Sequence, residues 1–252
     1  MSTHQPSEST TGSIAGYPPE PWDLRGRMYV SFWLVPADGL PEAVTAALPT
    51  GARPVLVRSK AVIGTAWVVY GPGGVLQYNE VMSTLLVRYG RRLMPTVTHI
   101  WVDSETSRDG GRELWGIPKE LAAFRVPASG EAAAELYADT GPTAGAGSYG
   151  VGYYEARADG RAFAAGTVGR GLTLPGRWPV SFQVVQDAGG FPRVSPVQIR
   201  GRLGVHRATW TPDPRGPLGF LAGRRPFLTL GLADFEMRFG RDRSASAHPA
   251  TG

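Results

Sequence analysis

A chain of 252 residues, 42% hydrophobic and 19% charged, carries enough apolar side chains for a sizeable core in one large domain, which excludes a disordered or supercharged chain. It contains no cysteine, which excludes disulfides, thiolate metal sites and a cysteine nucleophile. The net charge of +5 comes from arginines that are scattered singly or in the small groups Arg91-Arg92, Arg224-Arg225 and Arg238, Arg241, Arg243. They do not form the basic, aromatic-interleaved run of a nucleic-acid binder, and isolated guanidinium groups suit small carboxylates.

Residues 1–19 begin with a Ser/Thr/Gly-rich stretch that lacks the apolar segment of a secretory signal. They are expected to form a flexible N-terminal arm on a cytoplasmic protein. A single domain follows over 20–240, and RDRSASAHPATG at 241–252 reads as a frayed tail. Within the domain, Tyr29 to Val35 is β-branched and aromatic, a first strand. Pro41 to Leu48 predicts a short helix with proline in its first turn. Val62 to Tyr70 is a near-continuous apolar run closed by Gly71-Pro72-Gly73-Gly74, a hairpin-type turn rather than a phosphate loop, since no Gly-Lys-Ser/Thr follows. Gln77 to Val87 and Val97 to Val102 are further strands. Arg108 to Trp115 predicts a second helix, ended by Gly116 and Pro118. The glycine-dense stretch 141–152 reads as a loop. Val197 to Val205 alternates, with Val197, Ile199, Leu203 and Val205 on one face and Gln198, Arg200, Arg202 and His206 on the other. No run of eighteen apolar residues predicts a membrane-spanning helix. Many short strands, Gly/Pro turns and few helices indicate a β-rich α+β fold, a barrel or sandwich.

Lys60 and Lys119 are the two lysines among 26 basic residues. An amine can lose its proton and attack a carbonyl, which a guanidinium cannot do. Pro118 fixes the backbone before Lys119 and biases Ile117 to an extended conformation, so Lys119 is expected to begin a strand with apolar Ile117 and Leu121 on its own face. Desolvation there would lower its pKa and free the nucleophile. The same pattern also suits a lysine that snorkels to solvent or pairs with Glu113. His4, His99, His206 and His248 are widely spread, with no HExxH or paired His/acid spacing, so no metal is expected.

Gly111-Arg112-Glu113-Leu114, three residues and then Pro118-Lys119 resembles the signature of the acetoacetate decarboxylase superfamily, in which the lysine forms an iminium. Arg27 with Tyr29 resembles the family's active-site arginine region. Gln77-Tyr78-Asn79-Glu80 resembles the segment bearing its pocket glutamate. Asp103 and Glu105 also find counterparts, and the spacing from Ala61 to Leu121 runs without gaps. Further on, Gly190-Phe191-Pro192-Arg193 and the path from Ala208-Thr209-Trp210 to Leu230-Gly231-Leu232 resemble the later strands, so the likeness covers Arg25 to Arg238. Two positions depart: Glu120 stands where the decarboxylases carry a second lysine, and Thr65 where they carry an acid.

The resemblance implies a cone-shaped β-barrel of antiparallel sheets with a few helices, a homo-oligomer, and a keto acid as partner, with no nucleic acid and no membrane. It implies a lyase that uses a covalent iminium on Lys119 and no separate cofactor. In this reading Glu80 is the general acid/base, Arg27 holds a substrate carboxylate, and Thr65 and Tyr78 line the pocket. Arg112 and Glu113 form a structural pair beside the motif. Glu120 either lies on the opposite strand face or, if near Lys119, favours the ammonium. The two departures point to aldol or dehydration chemistry on a larger keto acid in secondary metabolism, with decarboxylation as the neighbouring outcome. The alternative is a binding or cyclase pocket on the same fold that makes no iminium.

Overall fold

The computed structural model describes residues 16–127 and 152–242. The expected arm and tail therefore lie outside the described residues except at 16–19 and 241–242, and the expected loop at 141–152 lies outside them except for Gly152. The strands, in chain order, are β1 (Trp22–Pro36), β2 (Ala52–Pro54), β3 (Leu56–Val57), β4 (Lys60–Tyr70), β5 (Tyr78–Tyr89), β6 (Arg92–Val102), β7 (Lys119–Leu121), β8 (Ala123–Arg125), β9 (Gly152–Ala158), β10 (Arg161–Val168), β11 (Leu172–Thr173), β12 (Trp178–Ala188), β13 (Phe191–His206), β14 (Ala208–Trp210) and β15 (Leu228–Phe239). Two helices, α1 (Glu42–Ala46) and α2 (Glu105–Trp115), complete the β-rich α+β fold. Each strand predicted from composition is present and longer than its apolar stretch, because flanking polar residues continue the ladder. Pro41 sits at the N-cap of α1 rather than inside it.

The large sheet runs β11-β13-β15-β1-β4-β5-β6-β7, with β12 beside β13 and with β2 and β3 beside β5 and β4; β14-β10-β9-β8 forms a second, smaller sheet. All pairings are antiparallel except β6 with β7. Both faces of the large sheet are buried, which explains the continuous apolar run in β4: successive residues alternate between two cores. Trp33, Trp67, Val81 and Trp101 face the small sheet, against Tyr154, Phe163 and Trp210. Trp67 stacks on Tyr154 of β9 and Trp210 of β14, with ring centroids 5.6 Å and 5.1 Å away. The opposite face carries Trp22, Met28, Val68, Tyr70, Tyr78, Trp115, Val184 and Phe235, and α2 packs there.

The closed barrel is corrected in one respect. The hydrogen-bonded ladder ends at β7 on one side and at β11 and β12 on the other. β12 nevertheless packs against β6, and one buried side chain takes the place of the missing ladder. Gln186 Oε1 accepts from the Val97 N–H (2.5 Å) and from Thr96 Oγ1 (2.9 Å), and its Nε2 donates to the Val97 carbonyl (3.1 Å). A primary amide has the donor and acceptor of a peptide group, so it pairs with β6 as a strand would. β13 requires a second correction. Val197 and Ile199 are buried as their alternation predicts, but the ladder to β15 slips between Arg200 and Arg202. Beyond the slip β13 has the two-residue β11 as its other neighbour, and Val205 is exposed rather than in the core. His206, expected on the polar face, instead packs edge-on to the Tyr29 ring at 5.0 Å.

Replacing Gln186 by Leu keeps the volume and leaves the Val97 N–H and carbonyl and the Thr96 hydroxyl without partners in the seam. The expected result in urea unfolding is a loss of about 2–4 kcal/mol, since each buried unsatisfied group costs about 1–3 kcal/mol and the three are not additive.

Candidate active site

Helix α2 and strand β7 build the site together. Ser104 caps the helix, its hydroxyl accepting from the Ser107 N–H at 3.2 Å, and Gly116 ends it in the left-handed conformation, φ 67°, that glycine adopts without strain. Pro118 then leads into β7, which lies parallel to β6 with Lys119 beside Ile100. Lys119 is 4% exposed. Its main chain and stem are held from α2: Arg112 Nε donates to the Lys119 carbonyl at 2.6 Å, and the aliphatic stem runs over Gly111. A Cβ at position 111 would stand 2.7 Å from Lys119 Cδ, closer than carbon atoms approach.

The amine ends among three oxygens. Lys119 Nζ donates to Ser107 Oγ at 2.9 Å, to Glu80 Oε2 at 3.0 Å and to Tyr78 Oη at 3.3 Å. Glu80 is 2% exposed, and its other oxygen accepts from Tyr70 Oη at 3.4 Å. The Tyr78 ring lies 4.9 Å from Nζ and that of Trp22 5.9 Å. An ammonium has three donors, and all three are used. Burial pulls the Lys119 pKa down, but the Glu80 carboxylate, followed by Tyr78, pushes it up, and the balance lies above an ordinary lysine. The expectation of an amine freed by desolvation is therefore corrected: burial is the largest single effect, but Glu80 and Tyr78 together outweigh it, and Lys119 rests as an ammonium donating to three oxygens. Burial raises the pKa of Tyr78 against the lowering pull of Lys119, and raises that of Tyr70 further, with Glu80 adding to it. Both phenols stay protonated and available as donors.

The other candidate residues fall elsewhere. Thr65 and Arg27 belong to the opposite face of the sheet, because Arg27 registers with Val69, Tyr29 with Trp67 and Ser31 with Thr65, whereas Glu80 registers with Val68. Thr65 is fully buried and its hydroxyl accepts from Trp33 Nε1 at 2.9 Å. Arg27 is buried and donates to the Pro127 carbonyl at 2.6 Å. Its charge works against the burial that pushes the Tyr29 phenol up to about 12. Neither residue meets Lys119. Glu120 also points away from the amine, accepting from Trp101 Nε1 at 3.2 Å, near His99, whose pKa burial lowers and Glu120 raises. Glu113 is exposed, and among the described residues no ion pair joins it to Arg112 or Lys119. Leu121 is 39% exposed, so the apolar neighbour expected on its side is absent while Ile117 is buried. Asp103 accepts from the Asn79 N–H (2.7 Å) and Nδ2 (2.6 Å), fixing the residue before Glu80. Glu105 lies exposed in the first turn of α2.

Sequence reasoning missed Ser107, Tyr70 and Trp22. A signal for Ser107 was available: one helical turn before Gly111 it falls on the same face of α2. Among the described residues no group of three or more His, Asp or Glu could hold a metal ion, and no helix is long and apolar enough to cross a membrane.

The sequence profile of the family described as acetoacetate decarboxylase (ADC) matches residues 5–168. No curated protein matches. Among solved structures, the chain is similar to the enduracididine biosynthesis enzyme MppR complexed with pyruvate, at 21% identity over 93% of each chain with a TM-score of 0.58. It is similar to acetoacetate decarboxylase from Legionella pneumophila at 15% identity, covering 93% of this chain and 90% of that one, TM-score 0.59. An acetoacetate decarboxylase-like enzyme from Sphingomonas wittichii follows at 17% identity, 92% and 95% coverage, TM-score 0.56.

Alanine in place of glycine ordinarily stabilises a helix by up to about 1 kcal/mol. Gly111→Ala is expected to do the reverse, destabilising by about 1–3 kcal/mol through overpacking against the lysine stem. In a Lys119→Ala background the same substitution should become neutral or stabilising, a sign change that a double-mutant cycle in urea reads directly.

Proposed function

The chain belongs to the acetoacetate decarboxylase family, and on that premise we propose that it is a lyase acting on a keto acid through an iminium formed on Lys119. The observation that carries this reading is the buried cluster in which Lys119 Nζ meets Glu80, Tyr78 and Ser107 within 3.3 Å. In a chain with arginine at 24 of its 26 basic positions, this amine is buried against a carboxylate, whereas Lys60 is exposed.

The raised pKa does not oppose the chemistry. Transfer of one proton from Nζ to Glu80 Oε2 over 3.0 Å turns the ion pair into a neutral amine and a carboxylic acid. The cluster keeps its total charge, and no proton crosses the apolar surroundings. The amine then attacks the ketone, and loss of water gives a cationic iminium that draws electrons from the adjacent bond. Glu80 serves as base and then as acid, and its burial beside the amine supports that role. Tyr78 and Tyr70 hold its carboxylate and the amine in register.

The bond that changes after iminium formation is assigned to aldol or dehydration chemistry. The support is a structure of the relative MppR at 20% identity complexed with the condensation product of pyruvate and imidazole 4-carboxaldehyde. Thr65 no longer contributes to this choice, since it lies behind the sheet. Arg27 is on that same far face, so the carboxylate-holding role falls away from it as well. The protein would need no separate cofactor.

Borohydride trapping with pyruvate and with acetoacetate, read by intact mass and peptide mapping, should place a reduced adduct on Lys119. Lys119→Arg should abolish the adduct and reduce turnover by roughly 10³-fold or more. Released carbon dioxide would assign the decarboxylase outcome instead. A Lys119→Arg protein that still converts its substrate would leave the non-covalent reading.

A further inference from the structure

We propose that Ser107 is a further catalytic residue, the hydroxyl that relays a proton from the attacking nitrogen to the departing oxygen while the iminium forms. The assignment rests on the reading of Lys119 as the iminium-forming amine.

Nothing in the helix requires a hydroxyl at this position. Ser104 already caps α2, and alanine is the better residue for a buried helical site. Ser107 is 0% exposed, and a buried hydroxyl is costly unless it is bonded. Its bond goes to the cluster: Oγ accepts from Lys119 Nζ at 2.9 Å, the shortest of the three contacts to the amine. The same helical face supplies Gly111, which gives the lysine stem its path, and the next residue, Arg112, holds the Lys119 carbonyl. Helix α2 thus fixes the nitrogen, its stem and its main chain relative to one hydroxyl.

Glu80 alone does not complete the proton account. Once Lys119 has given a proton to Glu80, the neutral amine forms its bond to the carbonyl carbon, and the π pair moves to oxygen. That leaves a positive nitrogen and an alkoxide. The nitrogen must lose one proton and the alkoxide must gain one, and the two atoms share a carbon, so a direct transfer is strained. A hydroxyl already against Nζ reaches both: Ser107 Oγ accepts the proton on nitrogen and passes its own to the alkoxide. Glu80 then returns its proton to the resulting hydroxyl, water leaves, and the nitrogen lone pair closes the C=N bond. The overall change is an ammonium and a ketone to an iminium and water, with Glu80 and Ser107 restored.

The test is the time course of borohydride trapping by pyruvate and acetoacetate for the wild-type chain, Ser107→Ala and Ser107→Thr. Ser107→Ala should slow adduct formation by about 10-fold or more while the half-saturating keto-acid concentration stays the same, and Ser107→Thr should remain within a few-fold of wild type. Circular dichroism checks the fold; if the alanine protein is unfolded, Ser107→Cys, nearly isosteric with a weak donor, should show the same slowing. An alanine or cysteine variant that traps at the wild-type rate overturns the assignment while leaving the iminium intact. No adduct on the wild-type chain with either keto acid, together with a functional Lys119→Arg protein, overturns both.

Discussion

The site depends on a single buried ion pair. Moving an ammonium and a carboxylate out of water is costly, and their attraction compensates only when the remaining hydrogen-bonding capacity is also filled. Lys119 and Glu80 meet that condition: the amine uses its three donors on Glu80, Tyr78 and Ser107, and the second carboxylate oxygen takes Tyr70. Removing one partner of such a pair typically costs about 3–5 kcal/mol, because the other is left charged in an apolar setting. The surrounding residues answer to that constraint: a glycine where the stem passes, a serine where a hydroxyl is needed, and an arginine holding the strand that carries the lysine. The neutral form needed for attack on a carbonyl lies one internal proton transfer away, so the cluster can be both stable and reactive.

The second constraint is the parity of strands. Adjacent side chains on a strand point to opposite faces, and this large sheet buries both. Lys119 and Glu80 share the face packed by α2, while Arg27, Thr65 and Glu120 belong to the other. Residues that lie close in sequence, such as Lys119 and Glu120, therefore sit in separate environments. The far face has its own polar satisfaction: Trp33 donates to Thr65, Trp101 to Glu120, and Trp210 to Ser31, whose hydroxyl also pairs with Thr229. Those bonds account for Thr65 and Ser31 as core chemistry between two sheets, while Glu120 keeps its contact with Trp101 at the exposed edge.

Much of this was legible in the sequence, and the failures have physical reasons. β1 and β4 announced themselves because β-branched and aromatic runs ended in proline or glycine, and α2 because Gly116 and Pro118 stop a helix, whereas β9, β10 and β12 were not singled out. Pro118 and Ile117 left both a buried and a snorkelling Lys119 open, and the family resemblance pointed to the buried one. Its protonation followed from neither, because the pKa depends on Glu80, 39 positions away and brought near only by the pairing of β5 with β6 and of β6 with β7. The face assignment of Arg27 and Thr65 required the register of β1 with β4. The slip between Arg200 and Arg202, which ends the core face of β13, falls at Gly201, a strand glycine that the alternation passed over. Nothing in the sequence singles out Gln186, since its role as a substitute ladder exists only where β12 meets β6.

The central claim is that the resting Lys119 is an ammonium held by Glu80, and the composition makes it directly measurable. With two lysines in the chain, lysine labelled at Cε and Nζ gives two NMR titrations, and Lys119→Arg identifies which is which. The account predicts that Lys119 titrates above the ordinary lysine value of about 10.4, and that Glu80→Gln brings it below. A Lys119 midpoint already well below the ordinary lysine value in the folded wild-type protein would contradict it, because burial would then outweigh the polar partners and the amine would be neutral without Glu80 as its base.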